Sequence, residues 1–268
     1  MNAAPLQADA EAPPPLVRVS GLSVNFGATR ALAQVDVTIG AGEIVALAGE
    51  PGAGKTTLIR CIAGDITPAG GQIVLGGRTV PPDPASARRR GVGVVYQDLA
   101  LCDNLDIVQN MFLGHEPLRH RLLDEPKMEL AAGATLESLS VTTVRSIRQP
   151  VASLSGGQRQ SVAVAKAVMS EAQLVIMDEP TAALGVSQTT MVLELIKRLS
   201  DRGVAVLVIS HNLNDVFEVA DRIAVLYLGR LAVSGPASEF DRQSVVEYMT
   251  TGTAGSAPQG RGATQTVS

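Results

Sequence analysis

Gly49-Glu50-Pro51-Gly52-Ala53-Gly54-Lys55-Thr56-Thr57 is the stretch on which the reading of this chain turns. It fits the pattern Gly, four residues, Gly-Lys-Ser/Thr. Glycines let successive backbone N–H groups curl around phosphate oxygens with no Cβ in the way. Lys55 adds a mobile positive charge, and Thr56 is the first hydroxyl after it, placed to bind a Mg²⁺ that bridges the phosphates. Just upstream, Glu43-Ile44-Val45-Ala46-Leu47-Ala48 is an apolar run of strand length. Downstream, Thr57 to Ala63 has helical spacing and stops at Gly64. A helix N-terminus with unpaired N–H groups would then point at the phosphates. The bland alternative, a glycine-rich turn, does not account for the strand–loop–helix setting. The stretch reads as a nucleoside triphosphate site.

Working outward, a chain of 268 residues with 46% hydrophobic residues can bury one well-packed core, with or without an added lobe. A formal charge of −4 and a pI near 5.4 give no general nucleic-acid footprint. Cys61 and Cys102 stand far apart in no metal-ligand spacing, which fits reduced thiols in a cytosolic compartment. The start lacks a basic stretch followed by an apolar one, and no apolar run approaches the roughly 18 residues of a membrane span. The chain is therefore expected neither to cross a membrane nor to leave the cytosol by the signal-peptide route.

Residues 1–15, rich in Ala and Pro, are expected to be a disordered leader. Leu16–Val19, Leu22–Val24 and Ala33–Ile39 alternate as strands. Phe26, in the loop beside Gly27, is a candidate to stack on a nucleotide base, against the alternative of a small-core role. Gln72–Leu75 before Gly76-Gly77 reads as a hairpin arm, and Pro84–Arg90 as a short helix stopped by Gly91. Val92–Tyr96 is a buried strand running into Gln97-Asp98, and helices are predicted over Ile107–Leu113 and Lys127–Ser138. Residues 104–150 carry the weakest pattern. His115 and His120, within them, are read as solvated surface histidines rather than a metal pair.

Leu154-Ser155-Gly156-Gly157-Gln158 opens a helical stretch with Ser155 at the N-cap, either a second anion-binding helix start or merely a flexible cap. Leu174–Met177 is an apolar strand that ends in Asp178-Glu179. Two adjacent carboxylates there are costly to desolvate unless a cation or hydrogen bonds meet them, and a Mg²⁺ site beside a catalytic base does so. Thr189–Leu199 is an amphipathic helix and Val204–Ile209 another apolar strand. Ser210-His211-Asn212 then caps a helix, which puts His211 at a strand's C-terminal end, where open α/β sheets bind ligands. Ile223–Leu228 and Leu231–Val233 close the sheet, Ser244–Met249 forms a last helix, and a disordered tail is expected beyond it.

In this order along the chain, Gly49–Thr57, Gln97, Leu154–Gln158, Asp178-Glu179 and His211 resemble the ATPase subunit of ATP-binding cassette (ABC) transporters, over about residues 16–235. The resemblance implies an α/β fold: a P-loop NTPase core sheet with an antiparallel β subdomain and a helical subdomain at about 98–153. The whole domain would span 16–250, with a tail at 251–268. It implies ATP and Mg²⁺ as ligands, with Phe26, Gly49, Glu50, Pro51, Gly52, Ala53, Gly54, Lys55, Thr56, Thr57, Gln97 and His211 around the nucleotide. Ser155, Gly156, Gly157 and Gln158 would close the site from a second subunit. By role, Lys55 neutralises phosphate charge, Thr56, Gln97 and Asp178 hold the metal, Glu179 activates water and His211 contacts the γ-phosphate.

At a finer level, Tyr96–Leu105 and Pro180–Val186 look like importers of simple sugars such as ribose, xylose and fructose. That implies membrane permease partners, a periplasmic or extracellular sugar-binding protein acting indirectly, and a peripheral place on the cytoplasmic face of the membrane. One phosphate loop and one signature imply a homodimer. Gly185 departs from the Asp that most of the wider family carries after Ala-Leu. The loop Asp98–Leu105 either contacts the permease or packs its leucines into the helical lobe. Other readings are an ABC ATPase for another solute, or a soluble cassette acting on DNA or ribosomes, whose coiled coils, zinc modules or tandem cassettes are not seen here. A regulator without turnover is disfavoured by Glu179 and His211.

Overall fold

The structure is a computed structural model that describes residues 14–169 and 171–253. The chain opens with an antiparallel pair, β1 (Val17–Phe26) and β2 (Thr29–Ile39), followed by β3 (Ile44–Ala48) and, across the phosphate loop, α1 (Lys55–Ile62). Next come β4 (Gly70–Leu75), β5 (Arg78–Thr79), α2 (Pro84–Arg89) and β6 (Val92–Val95). A mostly helical insertion holds α3 (Ile107–Phe112), β7 (Leu118–Arg119), β8 (Leu122–Leu123) and α4 (Glu125–Ser138). The chain returns through α5 (Gly156–Val168), β9 (Leu174–Asp178), α6 (Val186–Asp201), β10 (Ala205–Ile209) and α7 (Leu213–Val219). It ends in β11 (Arg222–Tyr227), β12 (Arg230–Pro236) and α8 (Arg242–Thr251).

Two sheets organise these elements. One is antiparallel in the order β2-β1-β4-β5; the other runs β12-β11-β3-β10-β9-β6, with the five strands from β11 to β6 parallel and β12 antiparallel at one edge. The apolar runs at β3, β9 and β10 are what a parallel sheet covered on both faces requires. Alternate residues serve opposite faces. Leu174 and Ile176 of β9, with Leu207 and Ile209 of β10, join α1 and the antiparallel lobe in one core. Val175, Met177, Val206 and Val208 face α3, α4, α5 and α6 in another. A third, smaller core packs Val245 and Met249 of α8 on Ala46, Ala48 and Val225.

The predicted elements return with shifted boundaries. The two strands expected over 16–24 are one strand, its pairing broken at Gly21, whose φ is 58° and whose N–H donates to Asp36 Oδ1 at 2.8 Å. Helix α4 begins two residues before the expected Lys127, because Asp124 caps it and Pro126 suits its first turn. The β7–β8 hairpin was not expected. Its strands are two residues long, and its turn places His120 and Arg121 at φ 53° and 70° without the Asn-Gly or Gly that signals such turns. Helix α8 runs through Thr251, and the leader and tail expected to be disordered otherwise lie almost wholly outside the described residues.

Candidate active site

Strand register brings the predicted residues together. Across β3, β10, β9 and β6, Leu47 pairs Ile209, Ile209 pairs Asp178, and Met177 pairs Val95. The four adjacent strands therefore end in line, and the residues that follow each one, Gly49 onward, His211, Glu179 and Gln97, emerge along one edge. This is the carboxyl edge of the parallel strands, where open α/β sheets hold their ligands.

At the first of these ends, Gly49, Gly52 and Gly54 have φ of 152°, 84° and 105°. A Cβ on Gly54 would sit 2.7 Å from Leu32 Cδ2 and 2.8 Å from the Ala31 carbonyl, so the turn tolerates only glycine there. Lys55 Nζ lies across the loop, donating to the carbonyls of Gly49 at 2.6 Å and Glu50 at 3.0 Å. Side chains cap α2, α3, α4, α5, α7 and α8, but none caps α1. The first-turn N–H groups of α1 are left for an anion, the condition a phosphate needs. Phe26 lies at the end of β1 and is 53% exposed, so it is not part of the core and is free to stack.

At the other ends, burial raises the Asp178 carboxyl above its ordinary range; Glu179 raises it further, and Lys55 opposes both. Burial likewise lowers the Lys55 ammonium, against the pull of Glu179 and Asp178. Glu179 has a left-handed backbone, φ 50°, held by its N–H to the Ile209 carbonyl at 2.8 Å. His211, exposed, sits with Nδ1 2.8 Å from Glu179 Oε2. Gln97 is exposed and, with Tyr96, Ala100 and Asp178, lines a cleft of about 630 Å³. Among the described residues no cluster of three or more His, Cys, Asp or Glu could hold a metal by itself. One carboxylate (Asp178), one hydroxyl (Thr56) and one amide oxygen (Gln97) nonetheless suit Mg²⁺, which takes few protein ligands and completes its shell with phosphate and water.

Ser155 caps α5 as expected: its Oγ accepts from Gln158 N–H at 3.3 Å, and Gln158 Oε1 accepts from Ser155 N–H at 2.9 Å. Gln158 Nε2 donates to the Thr143 carbonyl at 2.6 Å. Gly156 and Gly157 approach Leu184 and Gln188 so closely that a Cβ would lie 3.0 and 3.1 Å from them. Among the described residues, none of these contacts reaches the phosphate loop of the same chain. Gly185 begins α6 at φ −74° with no side-chain cap, and a Cβ added to it would meet nothing within 4 Å, so the fold there does not itself require glycine.

One expectation needs correction. His115 is not a solvated surface histidine: it is half-buried, with Nδ1 3.2 Å from the Leu113 carbonyl and its ring 5.8 Å from that of Phe112, and burial lowers its pKa. His120, at the hairpin turn, is exposed. Of the leucines after Gln97, Leu99 and Leu101 pack partly buried against the helical core. Sequence reasoning also missed the straps on this loop: Arg159 pairs with Asp103 at 3.0 Å, and Lys166 Nζ donates to the Ala100 carbonyl at 3.3 Å. Helical spacing on α5 was the only signal for either.

The fold and this edge define a P-loop nucleoside triphosphatase. The ABC transporter family model matches residues 32–182, and the chain belongs to that family. It is 44% identical over 245 residues to a fructose import ATP-binding protein of Rhizobium meliloti, covering 88% of this chain and 94% of the relative. It is 42% identical to a xylose/arabinose import ATP-binding protein of Sulfolobus acidocaldarius, over 88% of this chain and 94% of that one. Among solved structures, an ATP-binding cassette of an ABC transporter superposes with TM-score 0.75 at 23% identity, over 87% of this chain and 96% of the other. A dimeric cassette in a post-hydrolysis state with ADP and Pi gives TM-score 0.69 at 24% identity, over 82% and 98%. No helix among the described residues is long and apolar enough to cross a membrane.

Proposed function

We propose that this chain is the ATP-hydrolysing subunit of an importer of a simple sugar, working as a homodimer beneath membrane permease subunits on the cytoplasmic face. The observation that carries the reading is the alignment of Lys55, Asp178, Glu179, His211 and Gln97 along one sheet edge. Import of a monosaccharide is supported by relatives of nearly full length whose names specify fructose and xylose/arabinose.

In this reading Phe26 stacks on the base, and Gly49–Thr57 wrap the phosphates with backbone N–H groups. Lys55 leaves the Gly49 and Glu50 carbonyls to neutralise the β- and γ-phosphates. Thr56, Gln97 and Asp178 would hold Mg²⁺, which supplies charge neutralisation at the phosphates when bound. Glu179 takes a proton from the attacking water, while His211, hydrogen-bonding distance from Oε2, orients that carboxylate and reaches the γ-phosphate. Ser155, Gly156, Gly157 and Gln158 meet the same phosphate from the partner subunit. The α5 N-terminus already caps itself within one chain, so its remaining N–H groups gain an anion only on dimerisation. The test is uptake of radiolabelled fructose, xylose and ribose by membrane vesicles holding the full transporter and internal ATP. Uptake of one sugar that stops in Glu179→Gln supports the reading; ATP-dependent uptake of none of them counts against sugar import.

A further inference from the structure

Of the nine large hydrophobic side chains exposed among the described residues, four lie between Leu118 and Leu130. Three sit on the β7–β8 hairpin, where Leu118, Leu122 and Leu123 are 65%, 74% and 52% exposed. Leu118 pairs across with Leu123, and Arg119 with Leu122, so each face of the ribbon carries leucine. None of the three belongs to a hydrophobic core. The hairpin's base is tied to the start of α4 by the Asp124 N–H, which donates to the Pro117 carbonyl at 2.9 Å. The fourth, Leu130, shares the outward face of α4 with Lys127, since residues three apart are neighbours on a helix and Met128, Ala132 and Leu136 take the inward face.

Charge on this stretch is sorted in the same sense. Its carboxylates are already engaged within the chain: Asp124 caps α4, and Glu125 and Glu129 each meet Arg148 at 2.6 Å. Its cations are left outward. Arg119, Arg121 and Lys127 are exposed and, among the described residues, form no ion pair. In a chain of formal charge −4, exposed leucines beside unpaired cations make a local patch suited to a partner that is anionic at its face and apolar beneath.

We propose that the hairpin and the adjoining face of α4 rest on the membrane surface, the leucines entering below the headgroups and Arg119, Arg121 and Lys127 meeting anionic lipid phosphates. That a membrane lies beside this face rests on the importer reading above; the anionic and partly apolar character of the partner rests on the patch. Leucine on both faces favours a fluid apolar medium, which wets both sides of a ribbon at once, over a flat protein surface, which covers one. With so few charges the contact is weak and reversible, so it orients a subunit that its permease already holds.

The experiment mixes the purified full chain with vesicles of phosphatidylcholine, with or without phosphatidylglycerol, and measures the fraction that sediments with lipid. Wild type is compared with two double variants, Arg119→Gln with Arg121→Gln, and Leu122→Ser with Leu123→Ser. Wild type is expected to bind the acidic vesicles at least about tenfold more tightly than the neutral ones. Raising salt to about 500 mM removes the difference. Each double variant loses most of the binding, while melting temperature and ATPase stay as in wild type because these side chains lie outside every core. Wild-type binding that is absent, equal on the two kinds of vesicle, or unchanged in either variant overturns the proposal. So does a variant that keeps vesicle binding yet fails to capture the permease in detergent, which would assign the hairpin to a protein partner. A transporter that imports sugar while its subunit ignores acidic vesicles fails this inference alone; vesicle binding without uptake of any sugar fails the importer reading alone.

Discussion

Glu179 Oε2 lies 2.8 Å from His211 Nδ1 and 3.4 Å from the His211 backbone nitrogen, so one carboxylate oxygen is held by a residue of the neighbouring strand's end. Glu179 reaches this position only with φ at 50°, a conformation that costs roughly 1 kcal/mol or more outside glycine. Its N–H bond to Ile209 locks the strain in place. A carboxylate fixed this way needs little reorganisation to accept a proton.

Glu179→Gln should therefore bind ATP with near-normal affinity and hydrolyse it about 10² to 10⁴ times more slowly. Steady-state phosphate release together with nucleotide binding measures both. Lys55→Ala should instead weaken ATP binding itself, since the cation spanning the loop is lost. Near-normal turnover in Glu179→Gln would place the base elsewhere.

Assembly can be tested in the same background. Each chain has one phosphate loop and one Ser155–Gln158 segment, and within a chain the latter contacts Thr143, Leu184 and Gln188. Glu179→Gln with saturating ATP should sediment as a dimer and, without nucleotide, as a monomer. A monomer under both conditions would argue against the nucleotide sandwich.

The sequence carried the core sheet and its ligand edge because both rest on local signals. Apolar runs marked β3, β9 and β10, and glycine spacing marked the loop between β3 and α1. What it could not show depends on long-range partners. Arg148 meets Asp106, Glu125 and Glu129 at 3.0, 2.6 and 2.6 Å, joining α4 to the loop that follows Gln97, yet it stands 42, 23 and 19 positions from them, beyond any local spacing. Tyr96 donates to Asp65 Oδ2 at 2.7 Å, linking the end of β6 to the turn after α1, 31 positions away in sequence. The strained turn at Leu99 and Ala100 was equally hidden, for neither residue type advertises a left-handed backbone.

Asp178 predicts a conflict between stability and activity. Burial and Glu179 raise its pKa, so the folded, ligand-free subunit binds that proton more tightly than the unfolded chain does. Its stability therefore falls as pH rises from the ordinary carboxylate pKa through the raised one. Asp178→Asn should remove this dependence and raise the melting temperature of the ligand-free subunit at neutral pH. Hydrolysis should fall at least about 10²-fold because a metal ligand is gone. Thermal melts across acid to neutral pH, paired with ATPase assays, check both halves. A lower melting temperature for Asp178→Asn would show that the carboxylate is stabilising where it stands.

Leu101 and Leu113 separate core packing from docking. Leu101 is half-buried against the helical core, next to Cys102, whose N–H donates to Asn110 Oδ1 at 2.7 Å. Leu113 is 41% exposed and lines a groove with Arg88, His115 and Lys166. Leu101→Glu should put an unpaired charge into a packed region and destabilise the isolated subunit by several kcal/mol, lowering its melting temperature by roughly 10 °C. Any loss of permease binding in that variant would follow from unfolding. Leu113→Ser removes apolar contact at the surface, so melting temperature and ATPase of the isolated subunit should hold while capture of the permease drops several-fold. Both quantities are to be measured on both variants. A stable Leu101→Glu subunit that fails to capture the permease would move the docking contact onto the loop after Gln97, and a Leu113→Ser subunit with full capture would take it off the groove rim.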